Sequence, residues 1–334
     1  MLVVERRCVA AEQSSKSWGF CRQQGRDLRE LPLMVESIAS FTGLEEELGW
    51  DIGWQQGGNL ALFEDEAKRA SQARWAQLAA PFGVPTQIID REGVEELLPG
   101  LGAAHPVQGA MWTSTDGSAD PERATAAFAQ GALAHGAQFL QGVGVATLAT
   151  SQHGAHGRGM GQAGRVTGVV LDSGEEVSAG VVVVATAGWS DELLRKSVGL
   201  SLPTLRLHAT AGRTEPLDEP AAAAPFPSCG VWSGECSFRL RPDGGLTLAD
   251  GGHAEEHDLS ADTLRHGWRF LPHLRQFWSQ THLKLRRDSL PHPRRDACPE
   301  PAAGRMSAAV EQFAALFPVR TISCWAARGS ADCC

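Results

Sequence analysis

The sequence predicts a two-lobed α/β (α+β) fold, in which a parallel sheet with flanking helices is joined to an antiparallel-sheet lobe. The chain has 334 residues, more than the roughly 100 to 200 of a usual domain. Residues 181–184 are four consecutive valines, a pattern typical of a parallel strand buried on both faces. Two β-type runs flank the Pro-Asp-Gly-Gly sequence at 242–245, which predicts a hairpin and hence antiparallel pairing.

Helix and strand patterns fill in both lobes. Apolar residues recur every three or four positions from Leu31 to Leu48, which predicts an amphipathic helix. Asp120 followed by Pro121 and Glu122 is a strong helix start, because Asp accepts from unpaired amides and Pro fits the first helical position. Further helices are predicted near 64–80 and 91–98. Strands are predicted near 53–63, 86–89, 137–140, 143–148 and 165–171.

Composition narrows the function classes. The net charge of −9 argues against a nucleic-acid partner. No apolar run approaches the roughly 18 residues of a membrane span, and the first residues lack the order of a signal peptide, so we expect no transmembrane segment and a cytoplasmic location. The eight cysteines are scattered without a C-x-x-C pair, which favours reduced thiols.

The first strand predicted in the chain ends in an acid. Leu2 to Glu5 reads as a buried parallel strand with Glu5 at its carboxyl end. In dinucleotide-binding folds an acid at this position binds the ribose hydroxyls, about 20 residues after a glycine-rich turn. The interpretation therefore places the first strand and glycine turn of a Rossmann-like sheet before Met1. The alternative is that Glu5 is a solvent-exposed strand end.

Two other motifs are weaker. A G-x-G-x-x-G pattern at 159–164 follows a polar loop and precedes a strand, so its context argues against nucleotide binding. His253 and His257 match the H-x-x-E-H pattern of one class of zinc peptidase. Zinc would need both histidines on one helical face, whereas the preceding glycines indicate a surface loop. We therefore expect no metal site, and a zinc hydrolase remains an alternative.

Hydroxyl and basic residues follow the first strand directly. Ser14, Ser15, Lys16 and Arg22 lie within one short segment, and such groups suit a pyrophosphate and a polarised ring. A serine-rich turn that caps a helix would look similar. The segment alone does not decide between the two.

Taken together, four motifs resemble the D-amino-acid-oxidase-like superfamily, which includes the sarcosine and glycine oxidases. They are Val-Val-Glu-Arg at 3–6, Ser-Ser-x-Ser-Trp-Gly-x-x-Arg at 14–22, Gly-Gly-Asn-Leu-Ala-Leu at 57–62 and Asp-Gly-Ser-Ala-Asp-Pro at 116–121. Their order and spacing also match, and the resemblance covers about residues 2–328. It implies an FAD-binding parallel sheet and a substrate lobe with an antiparallel sheet.

The resemblance implies a cofactor role for several residues. Glu5 would bind the adenosine ribose with Arg6 beside it, and Val145 would meet the adenine through its backbone. The pyrophosphate and flavin would be faced by Ser14, Ser15, Lys16 and Arg22. A later strand at 181–185 would return to FAD and lead into the residues that close its channel, namely Ala185, Thr186, Ala187, Gly188 and Trp189. The family usually has Gly before Ala where this chain has Ala187 and Gly188.

It also implies the lobes and the chemistry. The FAD lobe would comprise residues 1–50 and 115–200, and the substrate lobe would comprise residues 51–114 and 201–320, with an aberrant or truncated tail at 321–334.

The activity implied by the resemblance would be oxidation of the C–N bond of a small amine or amino acid by hydride transfer to the flavin, followed by imine hydrolysis. Candidates near the substrate are Arg22, His208 and Arg328. The acceptor, whether oxygen, a quinone or a carrier protein, is not indicated. The rival is an inactive remnant that cannot retain FAD.

Overall fold

The computed structural model describes residues 1–151, 164–202, 207–208, 211–217, 226–234, 236–250, 255–259, 281–285, 305–318 and 325–326. The α-helices in these ranges are α1 (Leu31–Leu48), α2 (Glu66–Ala79), α3 (Arg91–Leu97), α4 (Pro121–Ala134), α5 (Ser190–Val198) and α6 (Arg305–Leu316). The strands are β1 (Leu2–Glu5), β2 (Phe20–Cys21), β3 (Gln55–Gln56), β4 (Asn59–Phe63), β5 (Thr86–Asp90), β6 (Gly109–Thr113), β7 (Gly117–Ser118), β8 (Gln138–Gln141), β9 (Val145–Thr150), β10 (Val166–Leu171), β11 (Glu176–Ser178), β12 (Leu207–His208), β13 (Ala211–Thr214), β14 (Gly230–Trp232), β15 (Cys236–Leu240), β16 (Leu246–Asp250), β17 (Glu255–Leu259), β18 (Thr281–Leu285) and β19 (Trp325–Ala326).

The largest sheet in the described residues has eight strands. Its order is β19-β13-β16-β15-β14-β4-β6-β5, and every neighbouring pair is antiparallel except β14 with β4. The predicted hairpin joins β15 to β16, with Arg239 opposite Thr247. This sheet confirms the predicted antiparallel component of the fold.

One face of this sheet is apolar. Phe238 is 1% exposed, and its ring lies 5.0 Å from that of Phe313 and 5.6 Å from that of Phe317. Leu60 from β4 and Leu248 from β16 are fully buried in the same cluster. Helix α6 therefore packs on this face through aromatic and aliphatic contacts, which are the main source of hydrophobic stabilisation here.

The opposite face is polar and aromatic. Successive side chains of a strand alternate between faces, so Ser237 and Arg239 point away from Phe238. Gly19 lies close on this side, since a Cβ there would come within 3.2 Å of Nη2 of Arg239. Gly19 also has φ +77°, a conformation that favours glycine. The segment between β1 and β2 therefore packs against the polar face of the sheet at Gly19.

A smaller parallel pair carries the chain's first strand. β1 pairs with β8 in parallel, with Glu5 opposite Gln141. Next along the chain, β9, β10 and β11 form an antiparallel sheet. The parallel and antiparallel sheets confirm the mixed α/β class, while the proposed lobe boundaries remain a prediction.

The predicted strand at 181–185 is wrong. Residues 181–186 have no regular secondary structure, and Val181 and Val183 are each 82% exposed. The prediction that this run shares a sheet with Leu2–Glu5 is wrong as well, because β1 forms a two-stranded sheet with β8. A valine run becomes a buried strand only where other strands pair with its edges, and the described residues supply no such partner.

The helix signals were more reliable. Asp120 caps α4 by accepting from the amides of Glu122 and Arg123, at 3.0 and 2.9 Å. The predicted strand at 53–63 is divided into β3 and β4 at Gly57 and Gly58. Gly58 has φ +83°, and a Cβ there would collide with the ring of Trp112. Among the described helices, none is long and apolar enough to cross a membrane.

The zinc-peptidase interpretation is not supported at His257. This residue lies in strand β17, opposite Leu207 of β12 and Leu283 of β18, so the helical face that zinc would need is not formed there. The expected surface loop is also wrong for residues 255–257, which belong to that strand. No cluster of metal-binding side chains occurs among the described residues. His253, Arg328 and most of the 159–164 motif lie outside them.

Candidate active site

A buried carboxylate holds the segment after β2 against the large sheet. Asp116 is fully buried, and its Oδ1 accepts from the amide of Gln23 at 2.8 Å and from Nε2 of the same residue at 3.2 Å. Its Oδ2 accepts from the amide of Gln24 at 3.2 Å. These bonds join residues more than 90 positions apart in the chain. They fix the position of the backbone directly after β2, where Arg22 lies.

A second buried group links this segment to β4 and β14. The side chain of Gln24 is 2% exposed, and its Nε2 donates to the carbonyl oxygens of Asn59 and Met111 at 3.0 Å each. Nδ2 of Asn59 donates back to Oε1 of Gln24 at 3.1 Å. Oδ1 of Asn59 accepts from Nε1 of Trp232 at 2.8 Å. The indole ring is therefore held by a buried, well-satisfied network.

Arg22 lies over this indole. Its guanidinium carbon is 4.9 Å from the centroid of Trp232, which is cation–π geometry. Nη1 donates to the carbonyl oxygen of Gln24 at 2.5 Å. Trp18 and Phe20 complete the cluster, with ring centroids 6.2 and 4.8 Å from that of Trp232. A cation and three aromatic rings thus share one half-buried location.

The charge of Arg22 is not balanced by a direct ion pair within the described residues. Burial lowers the pKa of its guanidinium below the ordinary value, and the nearby charge of Arg26 adds to the effect. Arginine forms two parallel hydrogen bonds with a carboxylate when its edge is accessible. A carboxylate ligand would therefore offset the cost of burying the Arg22 charge and would supply an ion-pair partner for it.

Sequence reasoning missed a second buried arginine. Arg239 is 3% exposed, burial lowers its pKa, and its Nε has no hydrogen-bond partner among the described residues. Two cysteines lie close to Arg239. Burial raises the pKa of the Cys21 thiol to about 11 and raises the pKa of the Cys229 thiol well above its usual range. Both sulfurs are therefore protonated at neutral pH and are poor nucleophiles.

The predicted nucleotide end lies at the carboxyl edge of β1. One carboxylate oxygen of Glu5 accepts from the amide of Arg7 at 2.8 Å, and Glu5 is half-buried. Ser15 donates to the carbonyl oxygen of Glu12 at 3.0 Å, and Lys16 pairs with the carboxylate of Glu12 at 3.3 Å. Glu12 therefore holds Ser15 and Lys16 in the turn between β1 and β2, whereas Arg22 lies beyond β2.

The other predicted residues are dispersed. Val145 begins β9, and Gly144 before it donates its amide to Asp172 at 3.2 Å. Ala187 to Trp189 form a 3₁₀ turn that leads into α5. His208 lies in β12, opposite Glu256. The structure thus brings Arg22 into a defined cluster with Trp232 and leaves the roles of the remaining residues as predictions.

Ala187 has an unusual backbone. Its φ is +43°, in a region that alanine adopts only at a cost of roughly 1 to 2 kcal/mol. Gly188 next to it has open space where a Cβ would be built. The exchanged order of alanine and glycine noted in the sequence therefore places the alanine where a glycine would be unstrained.

We expect Ala187→Gly to raise the free energy of unfolding by about 1 kcal/mol, because the strain is relieved. Urea denaturation of the variant and the parent protein measures the difference. Ala185→Gly is the matched control, since Ala185 lies on the same segment without a positive φ and should lose about 0.5 to 1 kcal/mol. Loss of stability in both variants would show that Ala187 is not strained.

The pKa of Asp116 gives a signed prediction. Burial raises it, while the N–H bonds from Gln23 and Gln24 and the charge of Arg22 offset part of the rise. A carboxyl whose pKa is raised on folding binds protons more readily in the folded state, so its contribution falls as pH rises through the folded pKa. Relative to Asp116→Asn, the parent protein should gain stability as pH falls from neutral towards the unfolded value of 3.8.

Denaturant unfolding of both proteins over that pH range tests the sign. A parent protein that loses stability relative to Asp116→Asn on acidification would show that the pKa is lowered instead. The asparagine variant keeps the size of the side chain, so its remaining cost should not vary with pH.

Similar proteins were found at the level of sequence and of fold. D-amino acid dehydrogenase of Allorhizobium ampelinum is 32% identical over 176 residues, covering 52% of this chain and 39% of that protein. The enzyme of the same name from Dechloromonas aromatica is 30% identical over 206 residues, 58% of this chain and 46% of that protein. The chain thus matches less than half the length of these curated relatives.

Solved structures share the fold. L-amino acid deaminase from Proteus vulgaris superposes with a TM-score of 0.80 at 20% identity, over 97% of this chain and 76% of that one. Glycine oxidase from Geobacillus kaustophilus gives a TM-score of 0.68 at 19% identity, over 97% and 74%. Residues 1–332 match the family described as DAO, FAD dependent oxidoreductase. The chain therefore belongs to the DAO family of FAD-dependent oxidoreductases.

Proposed function

We propose that this protein is an FAD-dependent amino-acid dehydrogenase or oxidase that oxidises the C–N bond of a small amine or amino acid. The observation that carries the proposal is Arg22, whose guanidinium lies on Trp232 with no ion-pair partner in the described structure. A carboxylate bound there would have its amine and Cα held beside the polar face of the sheet. The relatives named as D-amino acid dehydrogenases support this class of substrate.

The described residues fit the adenosine part of FAD. Glu5 ends a strand of a parallel pair, which is where an acid binds ribose hydroxyls in such folds. The half-buried carboxylate is held in place by the amide of Arg7. Ser14, Ser15 and Lys16 follow in the turn that would face the pyrophosphate, although Lys16 would have to leave Glu12 in part to do so.

The chain's own residues would mainly position the substrate. FAD, when bound, supplies a hydride acceptor. Arg22 would hold the carboxylate, and a nearby cation lowers the pKa of the substrate amine, which favours its neutral form. The imine that results from loss of the hydride is hydrolysed by water. The choice between oxygen, a quinone and a carrier protein as final acceptor stays open, and a cytoplasmic location remains a prediction.

A second candidate is a protein with this fold that does not retain FAD. Val181 and Val183 are 82% exposed on the segment that was expected to return to the cofactor, which favours this alternative. It predicts a folded protein without visible flavin absorbance even after incubation with excess FAD.

Reconstitution with FAD distinguishes the two. The purified protein is incubated with FAD, gel-filtered and examined for flavin absorbance, and the loaded protein is mixed anaerobically with single amino acids. The proposal predicts retained flavin that is bleached by at least one amino acid, and a slower bleaching in Arg22→Met. Retained flavin that no amino acid or amine reduces would contradict the proposed reaction.

A further inference from the structure

Three aromatic rings form a cluster apart from the hydrophobic core. Trp18, Phe20 and Trp232 contact one another on the polar side of the large sheet, with centroid distances of 4.8 to 6.2 Å. None of them belongs to the three apolar clusters found among the described residues. All three residues are half-buried. Packing of the core therefore does not account for them.

The central ring is fixed in orientation. Nε1 of Trp232 donates to Asn59, and Asn59 is fully buried and bonded to Gln24. Trp18 lies nearly parallel to Trp232, with 11° between the ring planes, and Phe20 is tilted by 58°. Rings that are held in this way lose little conformational freedom when a ligand packs on them.

Charge and aromatic surface occur together here. The guanidinium of Arg22 lies 4.9 Å from the centre of the Trp232 ring, so a carboxylate on Arg22 would place the rest of its molecule within reach of these rings. A planar aromatic group gains from offset or edge-to-face contact beyond its buried area. A small or polar side chain would leave the aromatic surface uncovered.

We propose that Trp232, with Trp18 and Phe20, selects amino acids that carry an aromatic side chain, while Arg22 binds their carboxylate. The inference rests on the proposed function and specifies its substrate class.

Calorimetric titration with inert carboxylates tests the proposal without flavin or turnover. The probes are 3-phenylpropionate and propionate, which share the carboxylate and differ in the ring. We expect 3-phenylpropionate to bind about tenfold or more tightly than propionate, a difference of about 1.4 kcal/mol or more, because its phenyl ring is removed from water. Equal affinities, or no binding of either probe to the folded protein, would overturn the proposal.

Variants separate ring from charge. Trp232→Ala should reduce the ratio of the two affinities to about twofold or less, because the stacking surface is lost. Trp232→Phe keeps a ring without the bond to Asn59 and should retain most of the ratio, which guards against misfolding of the alanine variant. Arg22→Met should lower the affinity for both probes by the same factor and leave the ratio of the two affinities unchanged.

A matched tryptophan serves as control. Trp54 stacks on Phe41 in a different cluster, 5.3 Å between centroids, so Trp54→Ala should leave the ratio unchanged. A similar loss of ratio in both alanine variants would contradict a specific role for Trp232. Because the titration does not need FAD, a protein that fails to retain flavin but discriminates between the probes would contradict only the proposed reaction.

Discussion

Replacing Asp116 with alanine is expected to lower the free energy of unfolding by about 3 kcal/mol or more. Two buried amides and one side-chain N–H would lose their acceptor, at about 1 to 3 kcal/mol for each unsatisfied group. Urea denaturation measures the loss. We also expect weaker binding of 3-phenylpropionate, because the segment that carries Arg22 would no longer be held.

An exposed aspartate provides the comparison. Asp51 pairs with Arg123 at 2.7 Å, and both side chains are more than half exposed, so Asp51→Ala should change the free energy of unfolding by less than about 1 kcal/mol. If Asp116→Ala were as mild as Asp51→Ala, the network around Asp116 would not be the element that fixes Arg22.

Phe238→Ala should be the most destabilising single truncation in the core, at about 3 to 5 kcal/mol. The ring is 1% exposed and touches Phe226, Phe313 and Phe317, so its loss leaves a cavity between the sheet and α6. Phe128→Ala is the matched control, because Phe128 is 51% exposed and its loss should cost about 0.5 kcal/mol or less. Similar losses in both variants would mean that α6 does not pack on this sheet as described.

The elements that sequence predicted well carry their signals locally. Asp120 and Pro121 specify the start of α4 through the chemistry of the first turn, and the glycines at 244 and 245 specify a turn between two strands. The apolar spacing in α1 needs no knowledge of its partner. Such features are fixed within a few residues, so they can be read without the fold.

The missing parts depend on distant contacts. Asp116 meets Gln23 across 93 positions, and Trp232 meets Asn59 across 173. Neither aspartate nor tryptophan has a spacing rule that would reveal such a partner. Arg22 was predicted near the substrate from a family resemblance, but the ring beneath it was not, because Arg22 follows β2 whereas Trp232 ends β14, more than 200 positions later in the chain.

At residues 181–184, by contrast, the sequence predicted a strand that the structure does not contain. The composition of this valine run favours a buried strand. This preference depends on packing against neighbouring strands, and the sequence of the run does not show whether such strands are present. In the structure Val181 and Val183 are exposed, and no described strand pairs with them. The helix α5 that follows was not predicted, although acidic residues in its first turn and basic residues in its last turn are local helix signals.

A crystal structure of the protein reconstituted with FAD and soaked with 3-phenylpropionate would locate the substrate site directly. We predict the carboxylate at hydrogen-bond distance from the guanidinium of Arg22, with the phenyl ring against the indole of Trp232. A ligand bound next to the flavin with neither residue in contact would contradict the site described for this chain.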